Sequence, residues 1–366
     1  MKTLICFGTR PEAIKMAPVI HELITQGLEF KVCSTAQHRE MLDQVLEFFE
    51  IKPDFDLGLM KPNQSLNQLS AAIILSFDKL LESYKPDLIL VHGDTTTSTM
   101  VSIAAFHRNI SVAHVEAGLR TFNKNSPFPE EINRQITARI ADINFAPTLK
   151  AKINLLAEGI PERTIEVTGN TVVDSLHWAT SKMLKQKNID IKLKKITNTE
   201  KPFILVTGHR RESFGNGLIN ICDSLLELVN KNEVEVIYPV HLNPKVQKPV
   251  YELLNENTSI HLIEPVSYPE MLWLMKNCLF IISDSGGIQE EAPTFGKIVL
   301  VTRDHSERVE GIEAGFSILV GTQQYRIVNE ATKLIKSSNN QLKKPNPYGD
   351  GKASERIVTF LKNKLY

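Results

Sequence analysis

Polar and glycine-rich clusters recur in this sequence directly after short apolar runs. One of them, at residues 283–293, follows the apolar run at residues 279–282 and contains Gly286 and Gly287. Two glycines at a strand-to-helix turn let backbone N–H groups approach a ligand, and the helix N-terminus adds partial positive charge, so the turn suits a diphosphate. Glu290 and Glu291 lie one turn further on, where they could accept hydrogen bonds from sugar hydroxyls. An ordinary tight turn whose carboxylates complement the helix dipole would show the same pattern.

Two acids follow predicted strands in the first half of the chain. Asp94 comes after the apolar run at residues 88–92, and Glu116 comes after the run at residues 111–115. Because parallel strands present their carboxyl ends at the same edge of a sheet, we expect both acids at one edge. His92 and His114 could be metal ligands, but each lies inside its strand, which favours core or supporting histidines.

Cations also gather at predicted strand-to-helix turns. Arg10 and Lys15 flank the turn after the first strand, and His209 and Arg210 follow the strand predicted at residues 203–206. Such side chains suit phosphate oxygens at the carboxyl ends of strands, although solvated surface cations would give the same pattern.

Composition excludes several classes of partner. Lysine plus arginine equals aspartate plus glutamate, 42 against 42, which argues against a broad nucleic-acid or anionic-membrane surface. The four cysteines lie in apolar runs without metal-ligand spacing, so we expect core thiols and no disulfides. No apolar run approaches ~18 residues, so the sequence predicts a cytoplasmic protein without a membrane span.

Strand and helix patterns alternate along the 366 residues, which predicts an α/β fold with doubly wound parallel sheets and two domains. We expect an N-terminal Rossmann-like domain at residues 1–169 and a C-terminal Rossmann-like domain at 170–352, whose glycine-rich turn would bind the diphosphate. The last helix, about 353–366, should pack back on the first domain. Two such domains facing each other across a cleft could surround a nucleotide-sugar.

Eight motifs occur in order along the chain, at residues 8–15, 37–40, 93–96, 114–120, 129–131, 208–212, 283–293 and 346–351. Together they resemble the motifs of the non-hydrolysing UDP-N-acetylglucosamine 2-epimerases. The resemblance implies the two-domain architecture of type B glycosyltransferases with the active site in the cleft. It further implies interconversion of UDP-N-acetylglucosamine and UDP-N-acetylmannosamine for bacterial surface polysaccharides, no redox cofactor or metal, and a homodimer.

The resemblance also assigns roles to individual positions. The catalytic positions are Asp94, Glu116, Glu130 and His209. The positions for substrate and UDP binding are Arg10, Lys15, Ser285, Gly286, Gly287, Glu290, Glu291 and Arg308. Residues near a second, activating UDP-sugar site of some relatives are Gln37, His38, Arg210 and His241.

One motif departs from the family pattern. At residues 303–310 the chain has His305 where the family usually has threonine and Val309 where it usually has proline, while Ser306 keeps a hydroxyl. The preferred sugar therefore stays open, and a 6-deoxy N-acetylated sugar is one alternative.

The C2 proton of a pyranose is not acidic, so epimerisation needs an indirect route. Anti elimination of UDP would give an oxocarbenium-like centre that acidifies C2 and then a 2-acetamidoglucal, to which UDP re-adds with a proton delivered to the other face. This route requires carboxylates near C2 and cations at the diphosphate.

Three alternatives share parts of the pattern. A type B glycosyltransferase would need an acceptor. A hydrolysing epimerase would release free N-acetylmannosamine, and its relatives usually depart from the Arg-Pro-Glu-Ala sequence that residues 10–13 keep. A nucleotide-sugar sensor would not need three acids on the sugar side.

Overall fold

The computed structural model describes residues 1–35, 39–61, 63–184, 201–208, 214–337 and 342–365. The chain forms two compact units, unit 1 (Met1–Trp178 with Tyr348–Tyr366) and unit 2 (Ala179–Pro347). It therefore leaves unit 1 after residue 178 and returns at residue 348, whereas the sequence predicts these divisions at 169 and 352. Four predicted site residues lie outside the described residues: Gln37, His38, His209 and Arg210.

Unit 1 is built around a parallel sheet. Its described strands follow the order β3-β2-β1-β4-β5-β6-β7, in which the first strand lies centrally and the chain winds outward in both directions. The strands are β1 (Thr3–Phe7), β2 (Phe30–Ser34), β3 (Phe55–Asp56), β4 (Leu88–His92), β5 (Ser111–Val115), β6 (Ile143–Ala146) and β7 (Ile165–Val167).

Helices connect these strands and begin at strong sequence signals. Thr9 caps the first helix and Glu12 completes a capping box, while Thr95 caps the fourth helix by accepting a hydrogen bond from the Ser98 N–H. The helices are α1 (Arg10–Thr25), α2 (Arg39–Phe48), α3 (Leu66–Ser83), α4 (Thr96–His107), α5 (Glu130–Ile140), α6 (Leu149–Ala157) and α7 (Thr171–Met183).

The core of unit 1 explains why its strands read as continuous apolar runs. Every residue of β1 and β4 is buried, as expected for parallel strands that are covered by helices on both faces. The C-terminal helix of the chain, Ala353–Leu365, belongs to the same unit and packs against α1. Its Ile357 and Val358 are fully buried.

Unit 2 repeats the design with a parallel sheet whose described strands follow the order β10-β9-β8-β11-β12-β13. This is the 3-2-1-4-5-6 order of a Rossmann fold. The strands are β8 (Phe203–Thr207), β9 (Glu235–Pro239), β10 (Ile260–Ile263), β11 (Ile281–Ser283), β12 (Val299–Val301) and β13 (Ser317–Leu319).

The helices of unit 2 pack on both sides of this sheet and enclose a core that includes Leu225, Val236 and Leu300. The helices are α8 (Asn216–Lys231), α9 (Pro244–Leu254), α10 (Tyr268–Asn277), α11 (Gly286–Glu291), α12 (Val309–Glu313) and α13 (Gln324–Lys336), and the C-terminal helix of unit 1 is α14.

The predicted fold class is confirmed in both units, since each is a doubly wound, Rossmann-like α/β sheet. Among the described helices, none combines the length and apolarity needed to cross a bilayer.

Candidate active site

The carboxyl ends of β4 and β5 bring two predicted acids to one edge of the unit 1 sheet. The two strands pair in parallel, with His92 opposite Val115, so Asp94 and Glu116 both follow directly on paired strand ends. Gly93 and Glu116 each have a left-handed backbone, with φ of 64°. A left-handed conformation costs a residue with a side chain about 1–2 kcal/mol, so Glu116 must be held by its surroundings.

Three side chains converge on one oxygen of Glu116. The Lys15 ammonium forms an ion pair with Oε2, and the Asn170 side-chain N–H donates to the same oxygen at 3.0 Å. The His92 Nε2 atom lies 3.7 Å from it. Glu116 is 8% exposed and Lys15 is 6% exposed, so the pair is buried. The other oxygen, Oε1, faces Gly93. A Cβ atom added to Gly93 would lie 3.7 Å from it.

Asp94 is held by a buried arginine from α5. The Arg134 Nε and Nη2 atoms both contact Asp94 Oδ2, at 2.9 and 2.8 Å. The Asn133 side chain donates to the Asp94 carbonyl oxygen at 2.9 Å. Arg134 also reaches Glu131 at 3.1 Å, so a half-buried acid is linked to a fully buried one through one guanidinium.

Glu131 orders the loop that precedes α5. Its two oxygens accept hydrogen bonds from the backbone N–H groups of Thr121 and Phe122, both at 3.0 Å. The neighbouring acid, Glu130, begins α5 and is half-buried. The adjacent acids therefore differ in environment, because Glu131 binds its own loop and Glu130 is partly open to solvent.

His114 supports the turn that carries Asp94. Its Nε2 atom donates to the carbonyl oxygen of Gly93 at 2.7 Å, and burial lowers its pKa from 6.5 to about 4. His114 is therefore neutral at physiological pH, in agreement with the predicted supporting role. In the part of the chain that the structure describes, no group of three or more His, Cys, Asp or Glu side chains is arranged to hold a metal ion.

The depressed pKa of His114 predicts a pH dependence of stability. Between about pH 6.5 and 4 the unfolded state takes up a proton that the folded state excludes, so the free energy of unfolding should fall as the pH falls through this range. His114→Gln keeps a donor for Gly93 and removes the titration. Urea unfolding from pH 4.5 to 7 should therefore show a smaller acid loss in the variant.

The comparison with wild type is needed because Glu12 acts in the opposite direction. Burial raises the pKa of Glu12 to about 7, so its contribution to stability falls as the pH rises from about 4.5 to 7. This contribution is present in both proteins and cancels in the difference. An equally steep acid loss in His114→Gln would contradict the assignment.

In unit 2, the predicted glycine-rich turn lies at the carboxyl end of β11. Ser283 ends this strand and its Oγ atom forms a 2.6 Å hydrogen bond with the Thr207 hydroxyl of the neighbouring β8. The Ser283 Oγ atom also accepts the Ser285 N–H at 3.0 Å, which closes the turn. Gly286 then begins α11, a helix of only six residues.

Arg308 packs directly against this turn. A Cβ atom at Gly286 would lie 2.7 Å from the Arg308 Cζ atom, so an added methyl group would force the guanidinium to shift. Arg308 Nε donates to Glu290 at 3.0 Å, and its Nη1 atom pairs with Glu307. Glu307 is also bound by Arg303 at 3.1 Å. The predicted binding residues Glu290 and Arg308 thus form one buried ion-pair network.

The loop that departs from the family pattern is tied to the same turn. The Ser306 hydroxyl donates to the Gln289 side-chain oxygen at 2.7 Å and accepts the Arg308 N–H at 3.1 Å. His305 is exposed. The hydroxyl that the chain retains at 306 therefore connects the loop to α11.

The remaining predicted residues lie after β1, at the end of α11 and after β9. Arg10 begins α1 and is half-buried, and Glu291 ends α11 and is buried. His241 is exposed after β9, where its Nδ1 atom accepts the Asn243 N–H at 3.1 Å.

Sequence reasoning missed the residues that hold these acids. Arg134 binds Asp94, but in its helical stretch only the acids Glu130 and Glu131 had suggested a site. Asn170 binds Glu116, but it lies where the sequence predicts a domain boundary. A glutamate three residues before an arginine on a helix is the local signal for the Glu131–Arg134 pair. The ion pair between Lys15 and Glu116 was not predicted from the sequence either.

A family model described as UDP-N-acetylglucosamine 2-epimerase matches residues 21–362. The chain belongs to this family. A UDP-N-acetylglucosamine 2-epimerase from Yersinia pestis is 50% identical over 371 residues, with 99% of both chains covered. The crystal structure of UDP-GlcNAc 2-epimerase from Neisseria meningitidis bound to UDP-GlcNAc is 49% identical, covers both chains fully and has a TM-score of 0.93.

The chain also has a fold similar to that of a more distant protein outside this family. A lipopolysaccharide outer core galactosyltransferase in its apo form is 13% identical, with a TM-score of 0.58 over the whole of both chains. This likeness concerns the fold alone.

Proposed function

We propose that the protein interconverts UDP-N-acetylglucosamine and UDP-N-acetylmannosamine. The observation that carries the proposal is the pair of acids at the ends of β4 and β5, each bound by a buried cation. The family match over nearly the whole chain supports the same activity. A broad surface for nucleic acid or membrane is not needed for this reaction.

The proposed reaction has two stages. In the first, the C1–oxygen bond to UDP breaks and a proton leaves C2, which yields 2-acetamidoglucal and UDP. In the second, UDP re-adds at C1 while a proton is delivered to the opposite face of C2. The stages require groups that exchange protons beside the sugar ring and positive charge on the leaving diphosphate.

We assign the proton transfers to Asp94, Glu116 and Glu130, with His209 as a further member of the catalytic set. In Glu116, Lys15 and Asn170 occupy Oε2, so Oε1 is the oxygen available to exchange a proton. The Lys15 ammonium and the Asn170 amide hold this carboxylate in one orientation. Asp94 is half-buried and so can reach a substrate while Arg134 holds it.

We assign UDP binding to the turn after β11 and to basic groups. A buried ion-pair network packs against this turn and keeps it rigid; its members are Arg303, Glu307, Arg308 and Glu290. A rigid turn can present its backbone N–H groups to a diphosphate without reorganising. The proposed substrate and UDP contacts are Arg10, Lys15, Ser285, Gly286, Gly287, Glu290, Glu291 and Arg308.

The wider setting follows from the same family relation. We propose that the product serves a bacterial surface polysaccharide, and that the enzyme works in the cytoplasm as a homodimer. Gln37, His38, Arg210 and His241 are proposed to lie near a second, activating UDP-sugar site.

Proton NMR of a reaction with UDP-N-acetylglucosamine tests the activity directly. The expected result is an equilibrium mixture with UDP-N-acetylmannosamine. Free N-acetylmannosamine with UDP would identify a hydrolysing enzyme, and sugar transfer that occurs only with an acceptor would identify a glycosyltransferase.

UDP is expected to raise the thermal unfolding temperature. A ligand that binds only the folded state stabilises it by about 2.7 kcal/mol at a concentration 100 times its Kd. Differential scanning fluorimetry should show a shift that grows with UDP concentration, and uridine, which lacks the diphosphate, is the matched control. Equal shifts with both ligands would remove the diphosphate from the proposed site.

A further inference from the structure

Glu12 connects two strand-end turns of unit 1. Its Oε2 atom accepts the Gly8 N–H at 3.0 Å, and the Thr9 N–H and hydroxyl both at 2.8 Å. Its Oε1 atom accepts the hydroxyl of Thr95 at 2.7 Å. Gly8 and Thr9 form the turn after β1, whereas Thr95 belongs to the turn after β4. One buried carboxylate, 1% exposed, therefore joins its own turn to one that lies 83 residues further along the chain.

A local capping role accounts for the contacts of only one of the two Glu12 oxygens. In α3 the same motif uses Gln68, whose side-chain oxygen accepts the Ser65 N–H at 2.9 Å, and this box is exposed and local to its helix. The Oε2 contacts of Glu12 correspond to that local role. The contact from Oε1 to Thr95 has no counterpart in α3 and is not needed to begin a helix.

Thr95 directly follows Asp94 and caps α4. Its hydroxyl oxygen accepts a hydrogen bond from the Ser98 N–H at 3.1 Å, and the same hydroxyl donates a hydrogen bond to Glu12. Thr9, the other residue that binds Glu12, directly precedes Arg10. Glu12 therefore binds the residue beside each of these groups and links the two turns that carry Arg10 and Asp94.

We infer that Glu12 is a positioning residue, which acts through Thr95 and Thr9 to hold Asp94 and Arg10 in register for the reaction. The inference rests on the proposed function, because it assigns Asp94 to proton transfer and Arg10 to UDP. Burial raises the pKa of Glu12, and hydrogen bonds from Thr95, Gly8 and Thr9 oppose this rise. Loss of any of these donors would weaken the carboxylate's hold on both turns.

The test compares Thr95→Val with Thr148→Val. Thr148 caps α6 by accepting the Ala151 N–H at 3.1 Å, so both variants lose an N-cap hydrogen bond of the same length, and only Thr95→Val loses the bond to Glu12. Because a small misplacement of catalytic groups is costly, kcat should fall roughly 10- to 100-fold in Thr95→Val. In Thr148→Val it should stay within about twofold, although both unfolding temperatures fall.

Two further variants separate positioning from folding. Thr95→Ser retains the hydroxyl and should restore kcat. In Glu12→Gln the amide replaces one oxygen, and the double variant Glu12→Gln with Thr95→Val should lose no more kcat than the worse single variant, because both changes break one connection.

The outcomes distinguish this inference from the proposed function. If wild type yields UDP-N-acetylmannosamine but Thr95→Val and Thr148→Val lose kcat equally, the inference fails and the proposed function stands. Additive losses in the double variant, or failure of Thr95→Ser to restore kcat, also overturn it. If wild type yields no epimer, the proposed function fails first, and the inference fails with it.

Discussion

Asp94→Asn or Glu116→Gln should reduce epimerisation by about 10²–10⁴-fold, the usual loss when a general acid or base is removed. Both changes preserve size and much of the hydrogen bonding. The amide that replaces the Asp94 carboxylate could still accept from Arg134, and the amide that replaces Glu116 could still accept from Asn170, so the fold should persist. Turnover is measured by NMR, and UDP affinity, measured by calorimetry, should change little.

Asp142, at the amino end of β5, provides a control for this prediction. Asp142 accepts the Val112 N–H at 2.9 Å near the amino end of β5, away from the proposed site. Asp142→Asn should therefore keep wild-type turnover. In D₂O the wild-type product should carry deuterium at C2. Near-normal turnover in both Asp94→Asn and Glu116→Gln would show that these acids are not the bases, and Glu130 and His209 would then be the next pair to test.

Gly286→Ala should abolish UDP binding and destabilise unit 2. The new methyl group would lie 2.7 Å from the Arg308 Cζ atom and 3.0 Å from both terminal nitrogens. Arg308 is buried and bound to Glu290 and Glu307, so it cannot move without separating buried charges. Overpacking alone typically costs about 1–3 kcal/mol. Thermal unfolding with and without UDP measures both effects.

The next glycine provides a matched control for stability. A Cβ atom at Gly287 would lie 3.8 Å from the Ser285 Oγ atom, which is ordinary van der Waals contact. Alanine is favoured over glycine inside a helix by about 1 kcal/mol, so Gly287→Ala should leave the unfolding temperature unchanged or raise it. Equal losses in the two variants would mean that the Arg308 contact does not constrain the turn.

The strand pattern was predictable because parallel strands are buried on both faces. The runs at residues 88–92 and 111–115 coincide with β4 and β5, and the acids that follow them do share one sheet edge. The two-residue strand β3 could not be predicted, because so short an element has no periodicity to recognise.

The partners of the site residues were less predictable, because they come from distant parts of the chain. Lys15 meets Glu116 across 101 residues, and Asp94 meets Arg134 across 40. Local spacing identified the turns but could not decide whether Lys15 faces a phosphate or a carboxylate. That choice depends on how α1 lies against the end of β5, which is a property of the folded unit.

The return of α14 to unit 1 has a consequence for the order in which the protein can fold during synthesis. Asp174 in α7 accepts hydrogen bonds from the N–H groups of Ala353 and Ser354, and Phe360 packs edge-on against Phe145. These partners leave the ribosome after the whole of unit 2. Unit 2 can therefore complete its sheet before α14 is translated and covers its apolar surface on unit 1.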